Sequence, residues 1–379
     1  MTPTTLTIDT FLVMLENWLR PVDASLAGEL ALTKEKFGTK IQRHEEALPK
    51  LTDTKIALVG IGEEEANAVR RALYPLSFPF GKMKIADLGN VRKEEPAFTQ
   101  PLIRELLEGK ICPVLIGYDN RFAHAHFDAH HSSQHAVSLV VVDERIAFHP
   151  KYSELEGNWL NPILQNKARL FHFGVIGCQT HFVDEAVFRD LEKRNFDCIR
   201  LGKARANLPE VEPLIRDADL LCFHLGALKQ LEAPGTPDAS PSGFFSEEAC
   251  QISRYAGMSD KLSSIGFYGF DKDLDKGNQT ARTLAQLIWY FIDGFYNRKN
   301  DFPASMDDLV EYIVDFKGHD YQLTFWKSNK TGRWWLQVPV KTKKKLERHR
   351  LIPCSYNDYL QASAEELPDR LMNALKRFE

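Results

Sequence analysis

The run Ser138-Leu-Val-Val-Val-Asp143 constrains this chain more than any other stretch. Four apolar residues in succession leave no polar face, so the strand they form must be buried on both sides. Such a strand belongs in a parallel sheet with helices packed over each face. The run also ends on a carboxylate, at the edge where open α/β sheets hold their ligands. The next residues, Glu144-Arg145-Ile146-Ala147, bring a guanidinium and a methyl group where a metal site would need more carboxylates or imidazoles. The address is that of a catalytic group, but the chemistry around it is missing.

An alternation of strands and helices surrounds this run. Strands are expected over 55–60, 83–88, 113–117, 138–143, 169–177, 196–200, 219–224 and 263–270. Helical patterns fall between them at 64–74, 183–194 and 246–258, and a long apolar helix over 282–296 closes the unit. Ser246, followed by Glu247 and Glu248, offers an N-cap hydroxyl and early carboxylates to the exposed amides of a helix start. Eight strands with intervening helices predict a three-layer α/β/α domain on one mainly parallel eight-stranded sheet. The 379 residues suffice for that core and for additions at both ends. The expected division is an N-terminal helical extension over 1–50, the α/β domain over 51–300 and a C-terminal extension over 301–379.

In the N-terminal extension, Ile8, Phe11, Leu12, Leu15 and Leu19 share one face of a helix over about 8–19. Residues 34–50 are charged and read as mobile or superficially helical. In the C-terminal extension, 321–326 and 333–340 are rich in aromatic and β-branched residues and flank Ser328-Asn-Lys-Thr-Gly332. This predicts a β-hairpin, followed by a basic run over 341–350 and a helix within 353–379. The segment 226–245 holds Pro234, Gly235, Pro237, Pro241 and Gly243 and leaves the carboxyl end of the seventh strand. It reads as a structured loop on the ligand side.

Hydrophobic residues make up 44% of the chain and charged residues 26%, which argues against wholesale disorder. A formal net charge of −4 provides no global attraction to nucleic acid or acidic membranes. No apolar stretch approaches the roughly 20 residues of a membrane span. The first residues lack a signal-peptide pattern, so a cytoplasmic location is expected. Cys112, Cys178, Cys198, Cys222, Cys250 and Cys354 lie far apart without a CxxC, and read as reduced core residues.

Four places combine into one pattern. They are Lys84-Ile-Ala-Asp-Leu-Gly-Asn-Val91, Leu115-Ile-Gly-Tyr-Asp-Asn120, Val140-Val-Val-Asp143, and Leu220-Leu-Cys-Phe-His-Leu-Gly226 running into Ala233-Pro-Gly-Thr-Pro237. In that order they resemble the ureohydrolase superfamily of arginase, agmatinase and formimidoylglutamase, over roughly residues 55–297. The resemblance implies an arginase-like fold and assembly into a homo-oligomer, a trimer or hexamer. It also implies two manganese ions whose bridging hydroxide attacks a guanidinium or amidine carbon. The family's motifs are Gly-Gly-Asp-His, Asp-x-His-x-Asp and Asp-x-Asp, with a later Glu that helps bind substrate. Here the first reads Gly117-Tyr118-Asp119-Asn120, the second Asp143-Glu144-Arg145-Ile146-Ala147 and the third His224-Leu225-Gly226. The later Glu falls near Gly269. Of six implied ligands, only Asp143 is kept.

Magnitudes decide what that loss means. Two dications about 3.5–4 Å apart repel by roughly 17–19 kcal/mol at an effective dielectric of 20. Clustered carboxylates must offset this, and Asp143 alone cannot. Arg145 would add a permanent cation that repels metal and guanidinium substrate alike. The expectation is therefore a catalytically degenerate ureohydrolase-like protein, a pseudoenzyme with a binding, regulatory or structural role, no catalytic residue and no cofactor. Its pocket is bounded by Asn120, Asp143, Arg145, His224, Gly226 and the 226–245 loop, and favours a small anionic or neutral polar ligand. An Asp143–Arg145 ion pair would fill the vacated space; the alternative is an Arg145 pointing to solvent.

Other readings stay open. His124, His126, His130, His131 and His135 follow the third strand, and His126 and His130 have the helical spacing that chelates a transition metal. With Asp128 or His224 they would make a relocated mononuclear site for a hydrolase of linear amidines; the alternative is a His-rich helix with solvated or capping imidazoles. Cys222 and His224 share one strand face and would form a nucleophilic pair, unless Cys222 is a packed thiol. His172 reads as a hydrogen-bonded core residue. The 341–350 run beside Trp326, Trp334 and Trp335 would bind a polyanion by charge and stacking. Against that stand a solvated basic edge and a hairpin that covers the main domain or a partner subunit.

Overall fold

The computed structural model describes residues 15–26, 33–130, 136–152, 157–166, 169–315, 322–338 and 351–378. Residues 8–14, His131, His135, Tyr321 and the basic run 341–350 lie outside them.

The main sheet has ten strands: β1 (Leu19–Arg20), β2 (Gln42–Arg43), β3 (Thr54–Ile61), β4 (Lys84–Val91), β5 (Cys112–Gly117), β6 (Val137–Val142), β7 (Leu170–Ile176), β8 (Asp197–Ile199), β9 (Leu220–His224) and β10 (Ser264–Tyr268). Their order is β1-β4-β3-β5-β10-β9-β6-β7-β8, with β2 also against β4. Only β1 runs antiparallel to its neighbour. All eight expected strands are present, as β3 to β10. The two additional strands come from the region expected to be an N-terminal helical extension. Leu19 pairs with Val91, so the helical face predicted over 8–19 ends before it. Within 34–50 a short helix, Phe37–Lys40, does form on a largely exposed segment, but Gln42 pairs with Ala86 and Phe37 and Ile41 are buried, so the segment is tied to the sheet. These two apolar anchors outweigh the charge around them.

The apolar run behaves as its composition requires. Val140 and Val142 face one hydrophobic layer, with the helices Glu63–Leu73, Ser246–Met258 and Gln279–Tyr296. Leu139 and Val141 face the other, with Pro96–Glu108, Phe122–Ala129, Asn161–Gln165 and Glu185–Lys193. Each fully buried aliphatic side chain contributes about 1.5–3 kcal/mol, so this one strand ties both layers together. Ser246 is the first helical residue, not the N-cap. The cap position is Phe245, whose N–H donates to Glu248 at 2.9 Å, while the Ser246 hydroxyl donates to Glu232. Gly257 and Gly294 let the last two helices of the first layer touch: a Cβ on either would sit 2.0 or 2.3 Å from a carbonyl oxygen of the other helix.

The Asp-Leu-Gly-Asn piece of β4 serves as an anchor. Arg70 is completely buried and donates to both carboxylate oxygens of Asp87 at 2.8 and 2.9 Å. It also donates to Asn67 (3.0 Å), Asn90 (2.7 Å) and the Gly89 carbonyl (2.8 Å), and the Tyr74 hydroxyl donates to Asp87 at 2.9 Å. The pair fixes helix Glu63–Leu73 to the sheet.

The C-terminal region is a four-stranded antiparallel sheet, larger than the expected hairpin. β11 (Leu309–Asp315), β12 (Gln322–Ser328), β13 (Trp334–Gln337) and β14 (Leu351–Cys354) lie in that order, with Trp326 opposite Trp335. Two helices follow, Tyr356–Ser363 and Asp369–Phe378, where one was expected. The unit docks on the β8 side of the main sheet. Buried Arg216 donates to the Trp334 and Cys354 carbonyls at 3.1 and 3.2 Å and lies 4.4 Å over the Trp335 ring. Trp334 stacks on Tyr359 at 4.8 Å. Both indoles are thus turned into protein contacts and are not free for the base stacking of the polyanion reading. A cavity of about 610 Å³, lined in part by Asp197, Cys198, Lys203, Asn207, Gln361 and Arg370, separates β8 from the terminal helices.

Candidate ligand site

Because β5, β10, β9 and β6 are adjacent and parallel, their carboxyl ends share one edge of the sheet. The turn after β5 carries Asn120, β9 ends on His224, and β6 is followed by Asp143. His224 Nδ1 donates to Asn120 Oδ1 at 2.7 Å. Trp159 lies against the imidazole at 4.9 Å and Tyr268 at 5.6 Å. Burial pushes His224 down to about 3, so the ring is neutral at ordinary pH. With its proton on Nδ1, Nε2 is an acceptor, and it has no hydrogen-bond partner among the described residues. The buried donor Nε1 of Trp159 is in the same condition.

Asp143 is 7% exposed, and the Arg145 backbone N–H donates to its Oδ1 at 3.3 Å. The Arg145 guanidinium goes elsewhere. Its Nε donates to Glu144 Oε1 at 3.2 Å and it stacks 4.3 Å over Phe182. In place of the expected Asp143–Arg145 side-chain pair, Arg145 pairs with Glu144 and leaves about half of its side chain (49%) exposed, so the solvent-facing alternative is met in part. Gly226 sits beside Asp143: a Cβ there would be 3.7 Å from Asp143 Oδ1 and from Glu144 Oε1. That is ordinary contact, so sterics would allow a carboxylate-bearing residue. Gly269 is different, since its φ of +86° calls for glycine. The next acidic residue, Asp271, accepts from the Asp273 N–H and starts a turn.

Burial moves Asp143 from 3.8 to about 7, the charge of Glu144 adds to the shift, and the Arg145 N–H opposes it. A raised carboxyl supports the fold while protonated. Its contribution is whole below the unfolded value and is lost as pH rises through about 7. We expect this group to cost the native state on the order of 4 kcal/mol once fully ionised, and Asp143→Asn to remove that cost. Urea midpoints measured in acid and in mild base check it: the variant should gain on wild type only in base, and parallel pH profiles would refute the assignment.

These residues do not fit a pair of divalent cations. The carboxylate beside Asp143, Glu144, is committed to Arg145, Asn120 already accepts from His224, position 226 has no side chain, and Arg145 brings positive charge. Among the described residues, no group of three or more His, Cys, Asp or Glu side chains is arranged to hold a metal ion. The helical pair His126 and His130 has another use: both Nε2 atoms meet the Ser264 hydroxyl, at 2.7 and 2.9 Å, inside the core. His126 Nδ1 faces the Tyr268 hydroxyl at 3.1 Å and the Cys222 thiol at 3.7 Å. Burial lowers His126 well below its ordinary value and His130 to about 4. The Cys222 thiol, raised by burial, is thus beside His126 and does not pair with His224. His124 lies against Asp128 at 3.4 Å, and His172 against Asp197 at 2.9 Å.

Sequence reasoning brings Asn120, Asp143, His224 and Gly226 to one edge but misses Glu144, Trp159, Phe182 and Tyr268. Glu144 was signalled by adjacency to Asp143, and Tyr268 by its place at a strand end. Trp159 and Phe182 lie in connections with no motif.

Comparison with known proteins agrees with this architecture. The arginase family pattern matches residues 61–293. A curated formimidoylglutamase from Staphylococcus haemolyticus is 23% identical over 187 residues, which is 47% of this chain and 60% of that protein, less than two thirds of its length. Among solved structures, formiminoglutamase from Trypanosoma cruzi with Mn²⁺ superposes with a TM-score of 0.60 at 15% identity, covering 65% of this chain and 95% of that one. Formimidoylglutamase from Bacillus subtilis gives 0.61 at 17% identity, covering 70% and 93%. Agmatine ureohydrolase from Thermoplasma volcanium gives 0.54 at 16%, covering 72% and 97%. At these identities the structural likeness establishes the fold, and the family pattern takes in more than half of the sequence. The chain belongs to the arginase family.

Proposed function

We propose that this protein has lost the dinuclear manganese hydrolysis of its relatives and acts as a binding, regulatory or structural subunit. The observation that carries the reading is the isolation of Asp143: of the six positions that the family resemblance marks for metal, it alone bears a carboxylate, and burial has already moved it toward the protonated form. Side chains of the protein itself pair with one another around it. His224 lies under Trp159, and Arg145 lies between Glu144 and Phe182. Because Glu144 offsets Arg145, the site has little to offer an anion. The adjacent acceptor of His224 and donor of Trp159 favour a small neutral group that both donates and accepts. The 51–300 unit would hold this site, and the 301–379 extension would brace it from the β8 side. A cytoplasmic homo-oligomer is the form we propose; no helix among the described residues is long and apolar enough to cross a membrane.

Calorimetric titration with Mn²⁺ tests the reading, together with elemental analysis of protein purified without a His tag. We expect no stoichiometric manganese, and no release of urea or formamide from arginine, agmatine or formimidoylglutamate. Two manganese ions per chain with turnover of any of these would end it.

A further inference from the structure

Cys178 and Cys198 are 20 residues apart in sequence, with no spacing that suggests a pair, yet their sulfurs meet. Sγ···Sγ is 2.9 Å, closer than two non-bonded sulfurs sit comfortably. The parallel pairing of β7 and β8 produces the contact. Val175 stands opposite Cys198, and the Gly177 N–H donates to the Ile199 carbonyl at 2.8 Å, which brings Cys178 alongside the outgoing strand. A disulfide would bring them to about 2.05 Å.

The two thiols differ in access. Cys178 is fully buried, on a segment that also touches the ligand site: the Asp143 N–H donates to the Ile176 carbonyl and the Gln179 N–H to the Glu144 carbonyl. Cys198 is half-buried and lines the cavity of about 610 Å³ between β8 and the terminal helices. The hydrogen bond from the Cys178 thiol favours the thiolate of Cys198 against the opposing effect of burial, and Arg200, two residues on, adds to it. The cavity is of a size that takes small molecules. Its walls combine the amides of Asn207 and Gln361 and the cations Lys203 and Arg370 with the carboxylates of Glu192, Asp197, Glu210, Asp358 and Asp369, an acid-rich surface that suits the ammonium groups of a peptide-like compound.

We propose that Cys178 and Cys198 form a reversible dithiol–disulfide couple, oxidised by a low-molecular-weight peptide disulfide that enters through this cavity. The Cys198 thiolate attacks one sulfur of the incoming disulfide, forming a mixed disulfide and expelling one small thiolate. Cys178, deprotonated in the same event, attacks the Cys198 sulfur, forms the internal bond and expels the second. The protein loses two protons and two electrons, and the small disulfide takes up both as two thiols.

The test uses the full-length protein and glutathione disulfide. After exposure, free thiols are blocked with N-ethylmaleimide under denaturing conditions and the peptides are mapped by mass. We expect one cross-linked Cys178–Cys198 peptide, reversed by dithiothreitol, with Cys112, Cys222, Cys250 and Cys354 alkylated. Cys178→Ser should stop at a single glutathionyl adduct on Cys198, and Cys198→Ser should take up none. The proposal is overturned if wild-type Cys178 and Cys198 are both alkylated, if the mixed disulfide persists unresolved in wild type, or if Cys198→Ser is modified at Cys178. Should either variant fail to fold, the wild-type map decides alone.

Discussion

Arg70→Ala is expected to destabilise the protein by about 3–5 kcal/mol, enough to move the urea midpoint far below wild type or to prevent accumulation of folded protein. The cause is the partner left behind. Asp87 is completely buried and receives two charge-assisted hydrogen bonds from Arg70, so truncation strands a carboxylate that, among the described residues, keeps the Tyr74 hydroxyl and the Gly89 N–H for support. Asn90 and the Gly89 carbonyl lose a donor as well. Arg70→Lys keeps the charge but not the fork, and should recover only part of the loss. The double replacement of Arg70 and Asp87 by apolar residues should be less harmful than Arg70→Ala alone. If the single variant unfolds within about 0.5 kcal/mol of wild type, the anchoring role of this pair is wrong.

Arg216→Ala should release the C-terminal sheet from the main domain, at a cost of about 3 kcal/mol. Arg216 Nη2 donates to two carbonyls on adjacent strands of that sheet and its plane covers Trp335, while Nε donates to Glu212 at 2.8 Å. Removal leaves the Trp334 and Cys354 carbonyls without this donor in a buried seam. Glu212 keeps only its second partner, Arg333, at 3.2 Å. Limited proteolysis provides the direct readout: cleavage within 301–378 should become faster while 51–300 stays resistant. Equal cleavage in wild type and variant would show that the seam is held by other contacts. The same geometry bears on truncation. Removing everything after about residue 320 would strip Arg216 of both carbonyl acceptors, so the remaining domain should be weakened.

Much of the main sheet was legible because parallel strands buried on both faces leave unbroken apolar runs. β6 is the clearest case. β1 and β2 were not legible, since two-residue strands carry no periodicity; they exist because β4 offers a free edge to Leu19 and Gln42. β11 was missed for a related reason: Val310, Glu311 and Ile313 are all exposed, so its pattern lacks a clean buried face. At the site, the convergence of Asn120, Asp143 and His224 followed from strand order. The choice Arg145 makes between two neighbouring carboxylates did not, because it is settled by Phe182, 37 residues away in sequence by the contact itself. The helical spacing of His126 and His130 turns both toward one partner, but they are buried and neither solvated nor capping, because the group they share, Ser264, comes from a distant strand. Cys178 and Cys198 show the same limit, since only strand pairing reveals that they touch.

The terminal helix Asp369–Phe378 stands beside the last strand of the sheet, with Arg377 3.6 Å from Asp197 of β8. An outermost strand ordinarily invites strands from other molecules to accrete along it. Here the chain sets its own terminal helices across that margin, with a cavity between, which disfavours runaway lateral growth from that side and directs any symmetric self-association to other surfaces.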